Sequence, residues 1–171
     1  MIVRRATPDD AHAIATVQVR SWQAAYQRIV PDAFLRELSI DTRATRWRTI
    51  LAESPAVTYV AEDLHMIVGW ASVGPSRDDD TVPTTGELWA IYVTPDHWSR
   101  GAGRALWMRG ASHLRGSGFR DAIVWVLEAN RRGIRFYEAA GFTRDAGRQK
   151  MVGIGGRDIP EIRLRSPLEA D

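Results

Sequence analysis

Residues 97–106, HWSRGAGRAL, combine two glycines with strong helix formers and are the first candidate for a ligand site. Gly101 and Gly103 permit a sharp turn or a close approach by another group, and the following residues, RAL, favour helix at once. The first amides of a helix lack internal partners and lie at the positive end of its dipole. The stretch therefore predicts an anion site at which backbone N–H groups hold a phosphate.

Two common nucleotide motifs do not fit this turn. A dinucleotide fingerprint requires a third glycine three residues after the second, and Leu106 occupies that position. A P-loop requires Gly-Lys-Ser/Thr, which the chain lacks here. On these residues alone, a structural strand-to-helix connection is an equal alternative.

Helices are predicted in the first third of the chain, after a short strand at residues 2–5. Apolar residues at helical spacing predict one helix that starts after Pro8 and runs to about Arg28. A second helical region opens at Pro31, and a third is predicted to be capped by Asp41. The pattern changes near residue 56, where strands and helices begin to alternate.

The remaining two thirds predict a mixed α/β arrangement. The predicted elements are strands at 56–62 and 66–73 joined by a tight turn, a polar loop at 74–86, a strand at 87–93, a helix from Gly103 to about Gly116, a buried strand at 122–128, a helix capped by Asn130, and a loop or hairpin before a last strand near 161–165. No linker or repeat is visible in the sequence, which predicts one domain over residues 1–171.

The order of these elements and two motifs resembles the GNAT superfamily of acyl-CoA-dependent N-acyltransferases. The core motif of that family, Gln/Arg-x-x-Gly-x-Gly/Ala, corresponds to residues 98–103, where both glycines match and Trp98 replaces the usual Gln or Arg. The segment NRRGIRFYEAAGF resembles the second family signature. The resemblance covers residues 56–145. It implies an α/β fold with a mixed, mostly antiparallel sheet of six or seven strands, splayed at its centre and flanked by helices.

The resemblance also implies acetyl-CoA as co-substrate. Amides of the glycine turn would hold the diphosphate, and the pantetheine arm would lie along exposed strand backbone, where the amide of Val93 or a neighbour polarises the thioester carbonyl. Asn130 would bond the arm, although a helix cap is its competing role. The implied cofactor-binding set is Ile91, Tyr92, Val93, Ser99, Arg100, Gly101, Ala102, Gly103, Arg104, Asn130 and Tyr137.

Two residues are the candidates for proton transfer. An amine acceptor has a pKa of about 10.4 and must lose a proton before attack. Glu87 lies where the family often carries a carboxylate that acts through water, and Tyr137 matches the usual general acid. The alternatives are a strand-end glutamate that balances an arginine and a core tyrosine whose hydroxyl is satisfied.

Trp22 and Tyr26 fall in the helical region that commonly borders the acceptor pocket in this superfamily, although aromatic residues on an amphipathic face are often core residues. The predicted reaction is direct acetyl transfer to a primary amine, with a small molecule as the first choice. A protein N-terminal or lysine acceptor is the alternative within the enzyme class. A catalytically silent acyl-CoA-binding module is the alternative outside it.

The amino-acid composition disfavours or excludes several other kinds of partner and site. Among 171 residues the formal net charge is only +2, which disfavours nucleic acid as a partner. There is no cysteine, so disulfides and thiolate metal sites are excluded. The four histidines show no metal-ligand spacing, and no metal is predicted.

Three further expectations concern the surface and the setting of the protein. No apolar segment is long enough for a membrane span, and a cytoplasmic protein is expected. A homodimer is possible. The run 78–80, DDD, is expected to be a solvated loop, with attraction of a polycation as the alternative.

Overall fold

The computed structural model describes residues 1–168, so the last three residues of the predicted domain lie outside the described part. In chain order the elements are β1 (Ile2–Arg5), α1 (Ala11–Ala25), α2 (Asp32–Arg36), α3 (Ile40–Glu53), β2 (Val57–Asp63), β3 (Met66–Pro75), β4 (Thr85–Val93), α4 (Ala102–Gly116), β5 (Asp121–Leu127), α5 (Arg131–Ala139), β6 (Thr143–Ile154) and β7 (Arg157–Pro167). Short 3-10 helices at Pro8–Asp10 and Pro95–His97 precede α1 and α4.

The strands form one sheet of seven in the order β1-β2-β3-β4-β5-β7-β6. Every neighbouring pair is antiparallel except β4 and β5, which are parallel and pair only from Thr85–Asp121 to Glu87–Ile123. Beyond that point β4 stays with β3 and β5 stays with β7, so the sheet opens at its centre. The predicted fold class, including the central splay, is confirmed.

Helices cover both faces of this sheet. On one face α4 and α5 bury Leu106, Leu114 and Ile134 against the strands. The contact is close, because a Cβ added at Gly110 would lie 2.8 Å from Cγ1 of Val73. On the other face α1 and α3 pack against β2 and β3 around Trp70.

A bulge in β4 changes which of its side chains face each layer. Ser72 pairs with Ala90 and Val73 pairs with Leu88, which leaves one extra residue in β4. Leu88 belongs to the core beneath α4, whereas Ala90 and Tyr92 pack with the α1 and α3 layer. Residues alternate faces along a strand, so the bulge brings Glu87, Ala90 and Tyr92 to the same side.

Two predicted helix boundaries differ from the structure. α1 ends at Ala25 and not near Arg28, which has a left-handed φ of 64°. α3 is capped by Ser39, whose Oγ accepts from the Thr42 amide at 3.2 Å, and not by Asp41. The segment before the last predicted strand, expected to be a loop or hairpin, is a hairpin in which β6 has 12 residues. Most of β6 is exposed at the sheet edge, so it lacks the apolar alternation that indicates a strand.

The run 78–80 lies in a loop and Asp80 is exposed, as expected, but Asp78 and Asp80 also bind an arginine that the sequence did not link to them. The guanidinium of Arg163, whose side chain is only 3% exposed, donates to Asp78 Oδ2 at 2.9 Å and to Asp80 Oδ1 at 2.7 Å. Asp145 accepts from the same group at 2.8 Å. A buried arginine requires such partners, and these aspartates supply them.

Candidate active site

The splay between β4 and β5 opens a cleft of about 1140 Å³. The end of α1, the start of α4, helix α5 and the β6–β7 hairpin contribute the rest of its lining. Single-ligand pockets typically measure about 300–1,000 Å³. The cleft therefore has room for an extended ligand together with a second small molecule.

The predicted anion cradle lies at one end of this cleft. α4 begins at Ala102, no side chain caps it, and the Ala105 amide donates to the Gly101 carbonyl at 2.9 Å. The amides of residues 102–104 therefore have no partner within the helix. Gly101 has a left-handed φ of 89°, which favours glycine.

The second glycine of this cradle lies at a close contact between two helices. A Cβ added at Gly103 would lie 3.0 Å from Cε2 of Phe136, so a larger residue there would require the Phe136 ring of α5 to shift. Ser99, Gly101, Gly103 and Arg104 line the cleft. Ala102, the first residue of α4, has a buried side chain and offers only its amide, and the exposed Arg100 is not among the lining residues.

Trp98 replaces the first residue of the family motif, and it has a structural role of its own. Its Nε1 donates to the carbonyl of Val93 at 2.7 Å, and Ser21 Oγ donates to the same carbonyl at 2.8 Å. The guanidinium of Arg132 lies 3.5 Å from the centroid of the Trp98 ring. Sequence reasoning missed Arg132, because the contact joins α5 to the turn before α4.

Backbone groups of β4 face the opening of the sheet. The Thr94 amide donates to Val68 at 2.8 Å, across the edge shared with β3. Successive residues of an antiparallel strand direct their polar groups to opposite edges, so the amides of Ile91 and Val93 face β5. The contacts of the Val93 carbonyl with Ser21 and Trp98 agree with this direction. Ile91, Tyr92 and Val93 all line the cleft.

Glu87 lies at the inner end of the cleft and is only 1% exposed. Its Oε2 accepts from the backbone amide of Arg77 at 2.9 Å and from the Nε of the same residue at 3.1 Å, and its Oε1 accepts from Arg77 Nη2. The Arg77 guanidinium also lies 4.3 Å from the Trp89 ring centroid. The carboxylate is therefore tied to one arginine, and a catalytic role for Glu87 stays a prediction.

Glu161 is a second carboxylate in the cleft, and sequence reasoning did not select it. It lies on β7 opposite Leu127 of β5 and Lys150 of β6. The side chain is half-buried, and no residue from 1 to 168 donates a hydrogen bond to it. Burial raises its pKa, against the opposing effect of the nearby Lys150 and Arg77 cations. Residues two apart on a strand lie on the same face, so a glutamate two residues after the buried Ile159 was the signal in the sequence that could have identified Glu161.

An aromatic wall formed by Trp22, Tyr26 and Tyr92 lines the same part of the cleft. The Trp22 centroid lies 5.1 Å from that of Tyr26 and 6.3 Å from that of Tyr92. Burial raises the pKa of both tyrosine hydroxyls. Trp22 and Tyr26 also pack against the apolar cluster around Val30, as core residues do, and their contact with an acceptor stays a prediction.

Tyr137 and Asn130 reach the cleft from α5 and from its cap. The Tyr137 hydroxyl has no hydrogen-bond partner within residues 1–168, and burial raises its pKa. The alternative of a satisfied core tyrosine is therefore not observed. Asn130 Oδ1 accepts from the Gly133 amide at 3.0 Å, which confirms the cap and leaves the side-chain NH₂ available to a ligand.

Residues 1–168 contain no group of three or more His, Cys, Asp or Glu side chains arranged to hold a metal ion. Within the same range, no helix has the length and apolar character needed to cross a bilayer.

Comparison with known proteins identifies the family. The model of the Acetyltransferase (GNAT) family matches residues 16–142. The chain is 35% identical over 170 residues to the "Uncharacterized N-acetyltransferase YuaI" of Bacillus subtilis (strain 168), and the match spans 94% of this chain and 95% of that protein. A shorter match, 37% identical over 92 residues, covers 53% of this chain and 31% of a mycothiol acetyltransferase from Thermobispora bispora.

Solved structures agree with that result. The structure of yncA from Salmonella typhimurium, a putative acetyltransferase with its cofactor acetyl-CoA, has a TM-score of 0.74, is 25% identical, and matches over 100% of this chain and 95% of that one. The ribosomal-protein-alanine N-acetyltransferase from Brucella melitensis shares the fold, with a TM-score of 0.75 at 21% identity over 98% of this chain and 99% of that one. The chain therefore belongs to the GNAT acetyltransferase family and has the fold of acetyl-CoA-dependent enzymes.

Proposed function

We propose that the chain transfers the acetyl group of acetyl-CoA to the primary amine of a small molecule, by direct attack in a ternary complex. One observation carries this proposal. A single cleft joins the unpartnered amides at the start of α4, the open edge of β4 and the aromatic wall beside Glu161. A donor and an acceptor can thus occupy the same cleft, each against surfaces of suitable chemistry.

The donor would lie between the cradle and the splay. The amides of residues 102–104 face a diphosphate, with Arg104 as side-chain support. The pantetheine arm would bond to the open edge of β4 as an added strand, and to Asn130. The amide of Val93 or Ile91 would then polarise the thioester carbonyl and stabilise the oxyanion that develops there.

Proton transfer would use groups at both ends of the splay. The acceptor nitrogen loses a proton, through water, to Glu87, and its electron pair attacks the thioester carbon. When the C–S bond breaks, the thiolate takes the proton of the Tyr137 hydroxyl, and the nitrogen gives its remaining surplus proton, through water, to the tyrosinate. A raised pKa keeps this tyrosine protonated at neutral pH, so it is available as the acid. Because a thiol has a pKa of about 8.5, this acid is expected to contribute less than positioning does.

The β6–β7 hairpin favours a small acceptor over a protein chain. A Cβ added at Gly155, at the tip of the hairpin, would lie 2.7 Å from Cβ of Phe34, so the tip packs directly against α2. Val152 and Ile154 of the hairpin extend the apolar cluster that includes Trp22 and Tyr26. The hairpin therefore covers the acceptor side, and a slender amine fits more readily than a folded protein segment.

An acceptor panel tests the proposal. Purified protein and acetyl-CoA are mixed with small alkylamines, amino acids, peptides and proteins, and release of the CoA thiol is followed. Amine-dependent release with a small molecule supports the proposal, whereas release with proteins alone would assign the alternative acceptor class. Binding of acetyl-CoA with no turnover across the whole panel would indicate a silent acyl-CoA-binding module.

A further inference from the structure

We infer that Glu161 is the carboxylate that binds the ammonium group of the acceptor, and that the acceptor is a cationic alkylamine without a carboxylate beside its amine. This inference rests on the proposed function and names the substrate class of the same site. It assigns Glu161 to binding, and it leaves the proton-accepting role proposed for Glu87 unchanged.

The carboxylates of Glu87 and Glu161 differ in how many hydrogen bonds they can still accept from a ligand. Glu87 accepts three hydrogen bonds from Arg77, which occupy most of its lone pairs. Glu161 accepts none from residues 1–168. A half-buried carboxylate without donors destabilises the folded state, because burial removes part of its hydration and no protein hydrogen bond replaces it. A ligand that brings N–H donors and a positive charge would satisfy it.

Groups from every surrounding element act on Glu161. Lys150 on β6 and Arg77 after β3 favour its charged form, whereas Glu87 and Asp78 disfavour it. The hydroxyls of Tyr26, Tyr92 and Tyr137 are close enough to interact with its charge.

Neither of the nearby cations is bonded to Glu161. Arg77 is bound to Glu87. The Lys150 Nζ lies 3.9 Å from Asp78 Oδ1 and 3.9 Å from the Trp125 ring centroid. Both cations are therefore engaged elsewhere.

The surroundings of Glu161 favour an alkylammonium ion. Ammonium ions bind carboxylates, and they also interact favourably with aromatic faces such as those of Trp22, Tyr26 and Tyr92. An acceptor with its own carboxylate would bring a third negative charge beside those of Glu161 and Glu87. Each of the two cations that could offset that charge already has an acidic partner.

Binding calorimetry on protein saturated with free CoA tests the inference without turnover. The probes are phenethylammonium and its neutral analogue 2-phenylethanol, which have similar shapes and differ in NH₃⁺ against OH. Wild-type protein is expected to bind the cation roughly tenfold or more tightly than the alcohol, as for a hydrogen bond to a charged group. Glu161→Gln is expected to remove this preference, and Glu161→Asp to restore part of it.

The matched control is Glu53→Gln, at the exposed end of α3, which removes the same charge away from the cleft. It is expected to keep the wild-type preference for the cation. Acetyl-CoA affinity is measured for every variant, so a misfolded protein is recognised by loss of donor binding. The inference is overturned if folded Glu161→Gln still prefers phenethylammonium, or if wild-type protein binds the two probes equally.

The proposed function has a separate readout. If wild-type protein releases no CoA thiol with any amine, the proposed function fails whatever the probes show. If an alkylamine is acetylated and its KM is the same in wild type and Glu161→Gln, only the present inference fails. The expected result is a KM about tenfold higher in Glu161→Gln, with kcat changed much less.

Discussion

Asn130 caps α5 and has a second, proposed role in cofactor binding, and a pair of substitutions can separate the two. Its Oδ1 caps α5 through the Gly133 amide at 3.0 Å, and its NH₂ group is proposed to bond the arm of acetyl-CoA. Serine keeps a capping oxygen and has no amide group, whereas alanine has neither. Asn130→Ser should therefore lose only the cofactor contact, and Asn130→Ala should lose that contact and the cap.

The expected magnitudes follow from these contacts. Loss of a helix cap costs about 1 kcal/mol, which lowers Tm by roughly 2–4 °C in a chain of this size. Loss of one hydrogen bond to the cofactor costs about 1 kcal/mol, or roughly fivefold in Kd. Thermal melts without ligand measure the first effect, and calorimetric titration with acetyl-CoA measures the second.

Ser39 supplies the matched control, because its Oγ caps α3 at 3.2 Å from the Thr42 amide, and it is not among the residues that line the cleft. Ser39→Ala should lower Tm by a similar amount and leave acetyl-CoA affinity unchanged. If both Asn130 variants bind acetyl-CoA like the wild type, Asn130 is a cap alone. If Asn130→Ser melts as low as Asn130→Ala, the account of the cap is refuted.

Three further predictions concern titratable groups in the cleft. Because burial raises the pKa of Glu161, its charged form destabilises the fold at neutral pH. Glu161→Gln should therefore raise Tm at pH 7, and this advantage should disappear as the pH falls through the raised pKa towards the ordinary value of 4.5; an unchanged Tm at pH 7 would contradict this. Glu87→Gln should lower the amine-dependent rate by roughly a hundredfold or more, mainly at lower pH, where the amine is charged and needs a base. Cofactor affinity should be unchanged, and an unaltered pH–rate profile would remove Glu87 from the mechanism. The pKa values of Tyr26, Tyr92 and Tyr137 are raised in the folded state, so stability should fall as the pH rises above about 10, where the tyrosines of the unfolded chain ionise first. Tyr137→Phe should make that fall less steep. Denaturant melts from about pH 9 to 11 measure the effect, and equal slopes for the two proteins would mean that the Tyr137 hydroxyl is not desolvated.

The sequence predicted the parts of the site that depend on neighbours in the chain. Gly101 and Gly103 lie within a few residues of the helix whose start they shape, so their spacing carries local information. The cap at Asn130 is likewise set by its own helix. The family motif added the order of the strands, and with it the splay between β4 and β5.

The parts that the sequence did not predict depend on long-range pairing. Arg163 contacts Asp80 across 83 positions of the chain, and that contact exists only because β7 lies between β5 and β6. The same insertion places Glu161 opposite Leu127 and at the cleft. The exposed strand β6 gives no apolar alternation by which its register could be predicted.

The most direct test of the cradle is a calorimetric comparison of acetyl-CoA with acetyl-pantetheine, which carries the same thioester and lacks the diphosphate and nucleotide. If the amides at the start of α4 hold the diphosphate, acetyl-CoA should bind at least roughly a hundredfold more tightly, as expected for two or more hydrogen bonds to a charged group. Equal affinity for the two thioesters, or no binding of acetyl-CoA at all, would contradict the account.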